Sequence, residues 1–162
     1  MSAEPLAGGA APPAQGRPSA GPAGAYFVST DRALLDLDFV CAALGGSYWA
    51  KGRPRGVIER SIAASLCFGV YEAASRRQVA FARVVTDGAT FSWLCDVVVD
   101  GAHRGRGLGK LLVSSAVAHP DARDTMWLLG TRDAHGLYQR FGFARAEMMR
   151  RPSPGWAPPP GP

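Results

Sequence analysis

Residues 97–110 read Val97, Val98, Val99, Asp100, Gly101, Ala102, His103, Arg104, Gly105, Arg106, Gly107, Leu108, Gly109 and Lys110. Consecutive β-branched valines favour a strand, and the glycines after them favour a tight loop. Leu108, Leu111, Leu112, Ser115 and Val117 then recur at helical intervals as far as Pro120. The stretch is therefore a strand, a loop and the start of a helix. Glycines at such a junction let successive N–H groups turn toward one anion, and the helix start adds about half a positive charge at the same spot. Arg104, Arg106 and Lys110 supply further positive charge, which suits a pyrophosphate.

Upstream of this junction, residues 66–73, 78–86 and 89–99 read as three strands. The Ser-Arg-Arg and Asp-Gly turns between them favour antiparallel hairpins. Before them, residues 25–29 form a short strand running into Thr30 and Asp31, both competent helix caps. Leu34, Leu35, Leu37, Phe39, Val40 and Leu44 predict a helix stopped by Gly45 and Gly46. A loop carrying Tyr48, Trp49 and the basic stretch from Lys51 to Arg55 leads to a second, shorter helix marked by Val57, Ile58, Ile62 and Leu66. Downstream, residues 125–130 predict a buried strand, with Asp133 as N-cap of a helix from Ala134 to Phe141 that Gly142 closes. A final strand is expected from Phe143 toward Arg151. The fold class is α/β of the α+β kind, a mixed and mostly antiparallel sheet flanked by helices.

With 162 residues and 47% apolar content, the chain is sized for one domain, expected over residues 25–151. Residues 1–24 are dominated by Ala, Gly, Pro and Ser, and residues 152–162 repeat that composition around Trp156, so both ends read as flexible tails. The N-terminal stretch lacks the basic start and apolar run of a targeting signal, and no segment is apolar over the length of a membrane span. A cytoplasmic protein without membrane partners is expected. Cys41, Cys67 and Cys95 are odd in number and show no paired spacing, so they read as reduced core residues and no metal site is expected. A net charge of +5, dispersed in short clusters, falls short of a nucleic-acid footprint, and no recognised nucleic-acid module accompanies it.

Several phosphate-binding loops share this chemistry. A P-loop needs GxxxxGK followed by Ser or Thr, whereas Arg104 stands at its first glycine position and Leu111 follows Lys110. A dinucleotide fingerprint needs GxGxxG, whereas Gly105, Gly107 and Gly109 are spaced two and two, after antiparallel strands. The segment from Arg104 to Gly109 instead resembles the phosphate loop of the GNAT (Gcn5-related N-acetyltransferase) family, Gln/Arg-x-x-Gly-x-Gly/Ala, at every specified position. Ala134, Leu137, Tyr138, Gly142 and Phe143 resemble the family's second motif, A-x-x-L-Y-x-x-x-G-F, in the right order about thirty residues later. Where the family often has an asparagine seven residues before that tyrosine, this chain has Thr131.

The resemblance implies an acyl-CoA-dependent N-acetyltransferase in which a primary amine attacks acetyl-CoA directly, with no metal. It implies splayed central strands that hold the cofactor. Backbone at Val97 and Val99 would orient the pantetheine and acetyl carbonyl, residues 104–110 (Arg104, Gly105, Arg106, Gly107, Leu108, Gly109 and Lys110) would grip the pyrophosphate, and Thr131 would replace the asparagine contact. Tyr138 takes the family's role of proton donor to the departing thiolate.

The amine also needs to lose a proton. By alternation Phe91, Trp93, Cys95 and Val97 share one strand face, none of them a base, which leaves Asp96 as the acid inside that strand. A bulge there would turn Asp96 toward the substrate; the alternative is a buried carboxylate bonded to neighbouring groups. His135, three residues before Tyr138, shares its helix face. Tyr48, Trp49 and Trp93 are the candidate acceptor-binding residues, with Arg53 and Arg55 as possible partners of an acceptor carboxylate. The acceptor is a small-molecule or protein amine, and the protein a monomer or homodimer. A non-catalytic acyl-CoA sensor with the same fold is the competing reading.

Overall fold

A computed structural model describes residues 24–151; the readings of residues 1–23 and 152–162 as tails lie outside the described residues. Five strands form one sheet in sequence order: β1 (Tyr26–Ser29), β2 (Leu66–Glu72), β3 (Gln78–Thr86), β4 (Phe91–Val99) and β5 (Met126–Leu129). The pairings from β1 to β4 are antiparallel and β4 to β5 is parallel. A parallel neighbour requires a crossover, and α3 (Leu108–Val117) provides it. Two helices, α1 (Leu37–Gly45) and α2 (Arg55–Ala63), connect β1 to β2, and one turn of helix, α4 (His135–Tyr138), follows β5.

The helices divide the core into two. On one face α3 packs Leu112, Val113 and Ala116 against Phe68, Val70, Ala82, Val84 and Leu94. On the other, Val40 and Leu44 of α1 and Ile58 of α2 pack against Cys67, Phe81 and Val98. The hairpin between β3 and β4 is closed by one carboxylate. Asp87 Oδ1 accepts the N–H groups of Ala89, Thr90 and Phe91 at 3.0, 2.8 and 3.2 Å. The Thr90 hydroxyl, donating to Asp87 Oδ2, and then those three N–H groups hold its pKa well below the usual carboxylate range.

The feature that shapes the sheet is a bulge in β4. Phe81 pairs with Val98 and Arg83 with Cys95, so Ala82 opposes two residues, Asp96 and Val97. Asp96 carries the extra residue in the left-handed region, at φ 54°; aspartate is one of the few non-glycine residues that tolerate it. The insertion resets the alternation. Leu94 packs in the α3 core, while Val98, four residues on, packs in the α1/α2 core. Cys95, opposite Arg83 in the register, stays on the α1/α2 side, whereas Val97 packs with the α3 core. The single face expected for Phe91, Trp93, Cys95 and Val97 is therefore broken between its last two members.

Two arginines hold the bulge. Asp96 Oδ2 accepts Arg53 Nη1 at 2.8 Å and Arg83 Nε at 2.6 Å, with side chains only 3% (Asp96), 10% (Arg53) and 14% (Arg83) exposed. Arg83 also donates to Ser65 Oγ at 3.2 Å, and Arg53 lies in the loop between α1 and α2. The bulge thus ties β3, β4 and that loop to one carboxylate.

Several local expectations are corrected. Asp31 caps only a 3-10 turn at Arg32–Leu34; Asp36, accepting Phe39 N–H at 3.0 Å, caps α1. Leu66 belongs to β2 rather than α2. The helix after β5 is a single turn followed by a 3-10 turn at Gln139–Phe141, ending at Gly142 with φ 83°. Its N-cap is Ala134, and Thr131 Oγ1 rather than Asp133 takes the Ala134 N–H, at 3.1 Å. Residues 143–151 form no strand, and β5 is a half-exposed edge, with Met126 62% exposed. Among the described residues no helix is long and apolar enough to cross a membrane.

Removing one partner of a buried ion cluster leaves the others desolvated without compensation. Asp96→Ala, which also loses the left-handed tolerance of aspartate, is expected to lower unfolding stability by about 3–5 kcal/mol. Urea denaturation checks this, and a loss below about 1 kcal/mol, the worth of a surface pair, would show that the cluster does not hold the fold.

Candidate active site

β4 and β5 stay paired only from Phe91 and Met126 to Leu94 and Leu129. Two residues beyond Leu94 comes the bulge, and there the strands part. Val97, Val98 and Val99 line one side of the resulting cleft, and Gly130 and Thr131 line the other. Its volume is about 850 Å³. Phe39 and Ala43 of α1, Tyr48 and Trp49 of the following loop, and Leu137 and Tyr138 of α4 complete the wall.

The glycine-rich loop borders one end of this cleft. A 3-10 turn at Gly101–His103 is capped by Asp100, whose Oδ1 accepts Ala102 N–H at 3.0 Å. Gly105 and Gly107 then adopt φ of 75° and 80°, a conformation that a side chain makes costly. Gly107 is the N-cap of α3, and no side chain caps that helix. The first N–H groups of a helix have no intrahelical acceptor, and here no side chain supplies one.

The cationic residues of the loop divide. Arg104 lines the cleft. Arg106 turns away, donating from Nη1 to Tyr26 Oη at 3.1 Å and from Nη2 to Ala102 O at 3.4 Å. Leu108 is core, 1% exposed, so only its backbone faces the site. Gly109 lines the cleft beside α4, where an added Cβ would stand 3.5 Å from Leu137 Cδ2. Lys110 is exposed on the first turn of α3.

Tyr138 lies between two spaces, lining both this cleft and a second groove of about 790 Å³ along β5. Burial pushes its phenol pKa up to about 12, with Tyr48 and Asp133 adding to the rise. The group stays protonated through the neutral range and remains a proton donor. His135 lines the groove rather than the cleft, so it does not join Tyr138 in a relay there. Thr131 lines the cleft, and with its Oγ1 already accepting the Ala134 N–H it keeps its hydroxyl proton and one further lone pair for a ligand.

The structure gathers Tyr48 and Trp49 at the cleft but leaves Trp93 out of its lining. Tyr48 Oη accepts Arg132 N–H at 3.0 Å, the Arg132 guanidinium lies 3.9 Å over the Tyr48 ring, and Trp49 meets that ring edge-on at 4.8 Å. A clasp thus joins the α1–α2 loop to the β5–α4 loop. Asp96 is bulged, as expected for a functional position, but its carboxylate turns to Arg53 and Arg83 instead of lining the cleft. Arg55 pairs with Asp38 at 2.6 Å and Glu59 at 3.2 Å on the surface, and neither Arg53 nor Arg55 lines the cleft. Tyr26, His103 and Arg132 escaped the sequence reading because their roles arise from contacts 77 to 84 residues apart in the chain, with no local pattern.

Comparison with known proteins agrees with this geometry. A candidate acetyltransferase of the GNAT family from Xanthomonas campestris pv. campestris superposes with a TM-score of 0.75 at 45% identity, covering 80% of this chain and 94% of that one. A candidate acetyltransferase of Gibberella zeae is 34% identical over 108 residues, 56% of this chain and 61% of that protein. The mycothiol acetyltransferase of Frankia alni is 39% identical over 82 residues, 46% of this chain and 25% of that protein. The chain thus spans under two thirds of the length of these two curated relatives. The family profile described as "Acetyltransferase (GNAT) domain" matches residues 64–145, from the start of β2 through the loop and Tyr138, and the chain belongs to the GNAT acetyltransferase family.

Proposed function

We propose that this protein moves an acetyl group from acetyl-CoA to a primary amine by direct attack, without a covalent enzyme intermediate and in the cytoplasm. The observation that carries the reading is the parting of β4 and β5 beside a helix start that no side chain caps. The residues present fit the cofactor. A cleft of about 850 Å³ is large enough for an extended arm, its wall mixes apolar and polar groups, and Arg104 and Gly109 of the glycine-rich loop line its end.

Bound acetyl-CoA supplies an activated thioester carbonyl. The backbone at Val97 and Val99, freed from β5 by the splay, orients the arm beside it, and the α3 start and Arg104 hold the pyrophosphate. Tyr138 donates its proton to the sulfur as the thiolate leaves. Asp96 is not assigned the base, because its buried oxygen already accepts two guanidinium bonds. The acceptor, a small molecule or a protein amine, approaches past Tyr48 and Trp49; its ammonium proton departs to solvent, and the second proton its nitrogen loses on forming the amide returns through solvent to the Tyr138 phenolate. Of the candidate acceptor residues these two are retained and Trp93 is dropped.

Calorimetric titration with acetyl-CoA, beside NADH and ATP, tests the cofactor; release of free CoA thiol across a panel of amines tests the chemistry. Selective acetyl-CoA binding with turnover is expected. No binding overturns the reading, and binding without turnover on any amine converts it to a sensor.

Tyr138→Phe is expected to slow acetyl transfer on the order of 100-fold while leaving acetyl-CoA affinity unchanged. Because the phenol titrates only near 12, the rate should rise with pH as the amine deprotonates and show no falling limb from Tyr138 through the range where the protein is assayed. An unchanged rate in the variant removes Tyr138 from the mechanism. Gly107→Val forces a branched residue into φ 80° at the helix start and is expected to weaken acetyl-CoA binding by about tenfold or more. Calorimetry checks that figure, and unchanged affinity would take Gly107 out of the phosphate site.

A further inference from the structure

Beneath the phosphate loop, the hydrogen bonds converge on His103, a ring only 5% exposed. Arg77 Nη2 lies 3.0 Å from His103 Nε2. A guanidinium can only donate, so Nε2 is the acceptor, and the ring proton sits on Nδ1. Nδ1–H then donates to Tyr26 Oη at 2.9 Å, the same oxygen that accepts Arg106 Nη1 at 3.1 Å. The Tyr26 and His103 rings also meet edge-on at 5.8 Å. Hydrogen bonds thus link the β2–β3 turn through His103 to Tyr26 on β1, where donation from His103 meets donation from Arg106 of the loop.

Resting on the acetyltransferase reading, we infer that His103 is a positioning residue for cofactor binding. As a neutral imidazole accepting from Arg77, it holds Tyr26 where Tyr26 receives Arg106, and this brace sets the shape of residues 104–107. It acts through Tyr26 and Arg106 and does not touch the ligand. Arg106, whose sequence position points to direct phosphate contact, serves as the near end of the brace.

The arrangement tolerates only one protonation state. A second ring proton would replace the Nε2 lone pair with an N–H facing a guanidinium at 3.0 Å. The groups facing His103 are Tyr26 on β1, Glu72 at the end of β2, Arg77 on the turn, and Arg106 through Tyr26. Asp100 stands behind Arg77 at 3.8 Å. Of these, Glu72 is the partner for a charged ring, its Oε1 3.9 Å from Nε2, and the Ser75 hydroxyl and Arg77 keep its carboxyl below the ordinary range. The brace therefore depends on the Nε2 lone pair facing Arg77 and on the Nδ1 proton facing Tyr26.

The test is calorimetric affinity for acetyl-CoA at one neutral pH. Tyr26→Phe removes only the shared hydroxyl and should weaken binding about tenfold, the scale of one charge-assisted hydrogen bond. His103→Leu keeps the bulk of the ring but neither nitrogen and should weaken binding by a similar factor, whereas His103→Gln keeps a donor and an acceptor and should restore most of the affinity. A merely space-filling histidine would be replaced as well by leucine as by glutamine. Wild-type affinity in Tyr26→Phe, or no difference between His103→Leu and His103→Gln, overturns this inference alone; absence of binding by the wild type overturns the acetyltransferase reading with it. Should the His103 variants fail to fold, the Tyr26→Phe affinity decides.

Discussion

The geometry of the site depends on one buried carboxylate. Asp96 takes the left-handed conformation that inserts an extra residue into β4, and Arg53 and Arg83 fix it there. Without the insertion, Leu94 and Val98 would share a face, and one of the two cores would lose a wall. The same insertion increases local twist and bends the strand, and β5 follows β4 only to Leu94 before parting from it. The cleft is the space this leaves. Asp96, which reads as a catalytic candidate, instead holds the bulge beside which the cleft opens.

The cationic residues show the same separation between making a site and meeting a ligand. Sequence proximity groups Arg104, Arg106 and Lys110, but the fold sends them three ways: Arg104 to the cleft, Arg106 to Tyr26, and Lys110 to solvent. Arg53 and Arg55 are two residues apart, yet one is buried on the bulge and the other pairs with surface acids. Of these five cations only Arg104 lines the cleft, while Arg53 and Arg106 are bonded within the fold and Arg55 and Lys110 lie at the surface.

Much of this was legible without coordinates. The β2–β4 meander announces itself through apolar runs and turn residues, because hairpin geometry is a local property. The glycine-rich loop leading into α3 was legible through its glycine spacing, and the cleft beside it takes in Tyr138. What stayed hidden is non-local. Burial alternates without interruption through the bulge in β4, so neither hydropathy nor period marks the change of face. Asp31 reads as the cap of the first helix, but it closes only the 3-10 turn at Arg32–Leu34, and Asp36, five residues on, caps α1. Residues 143–151 carry strand-like apolar residues, but no neighbour pairs with them along the edge of β5. His103 reads as loop, and only the fold brings Tyr26 and Arg77 to its two nitrogens.

Holding a bulge with buried charge is costly, since apolar residues of similar size often stabilise a core more than an ion cluster does. Apolar packing, however, does not specify which residue of a valine- and leucine-rich strand takes the left-handed conformation. Moving the bulge by one position in β4 would turn the Asp96 carboxylate from the place where Arg83 of β3 and Arg53 of the α1–α2 loop converge. Three charges in a nearly dry site would then lack their partners, whereas the apolar side chains on either side would lose little. The ion cluster penalises the wrong register more than it rewards the right one. Since the cleft opens where the bulge sits, that register is also what aligns Val97 and Val99 with the start of α3 and with Tyr138.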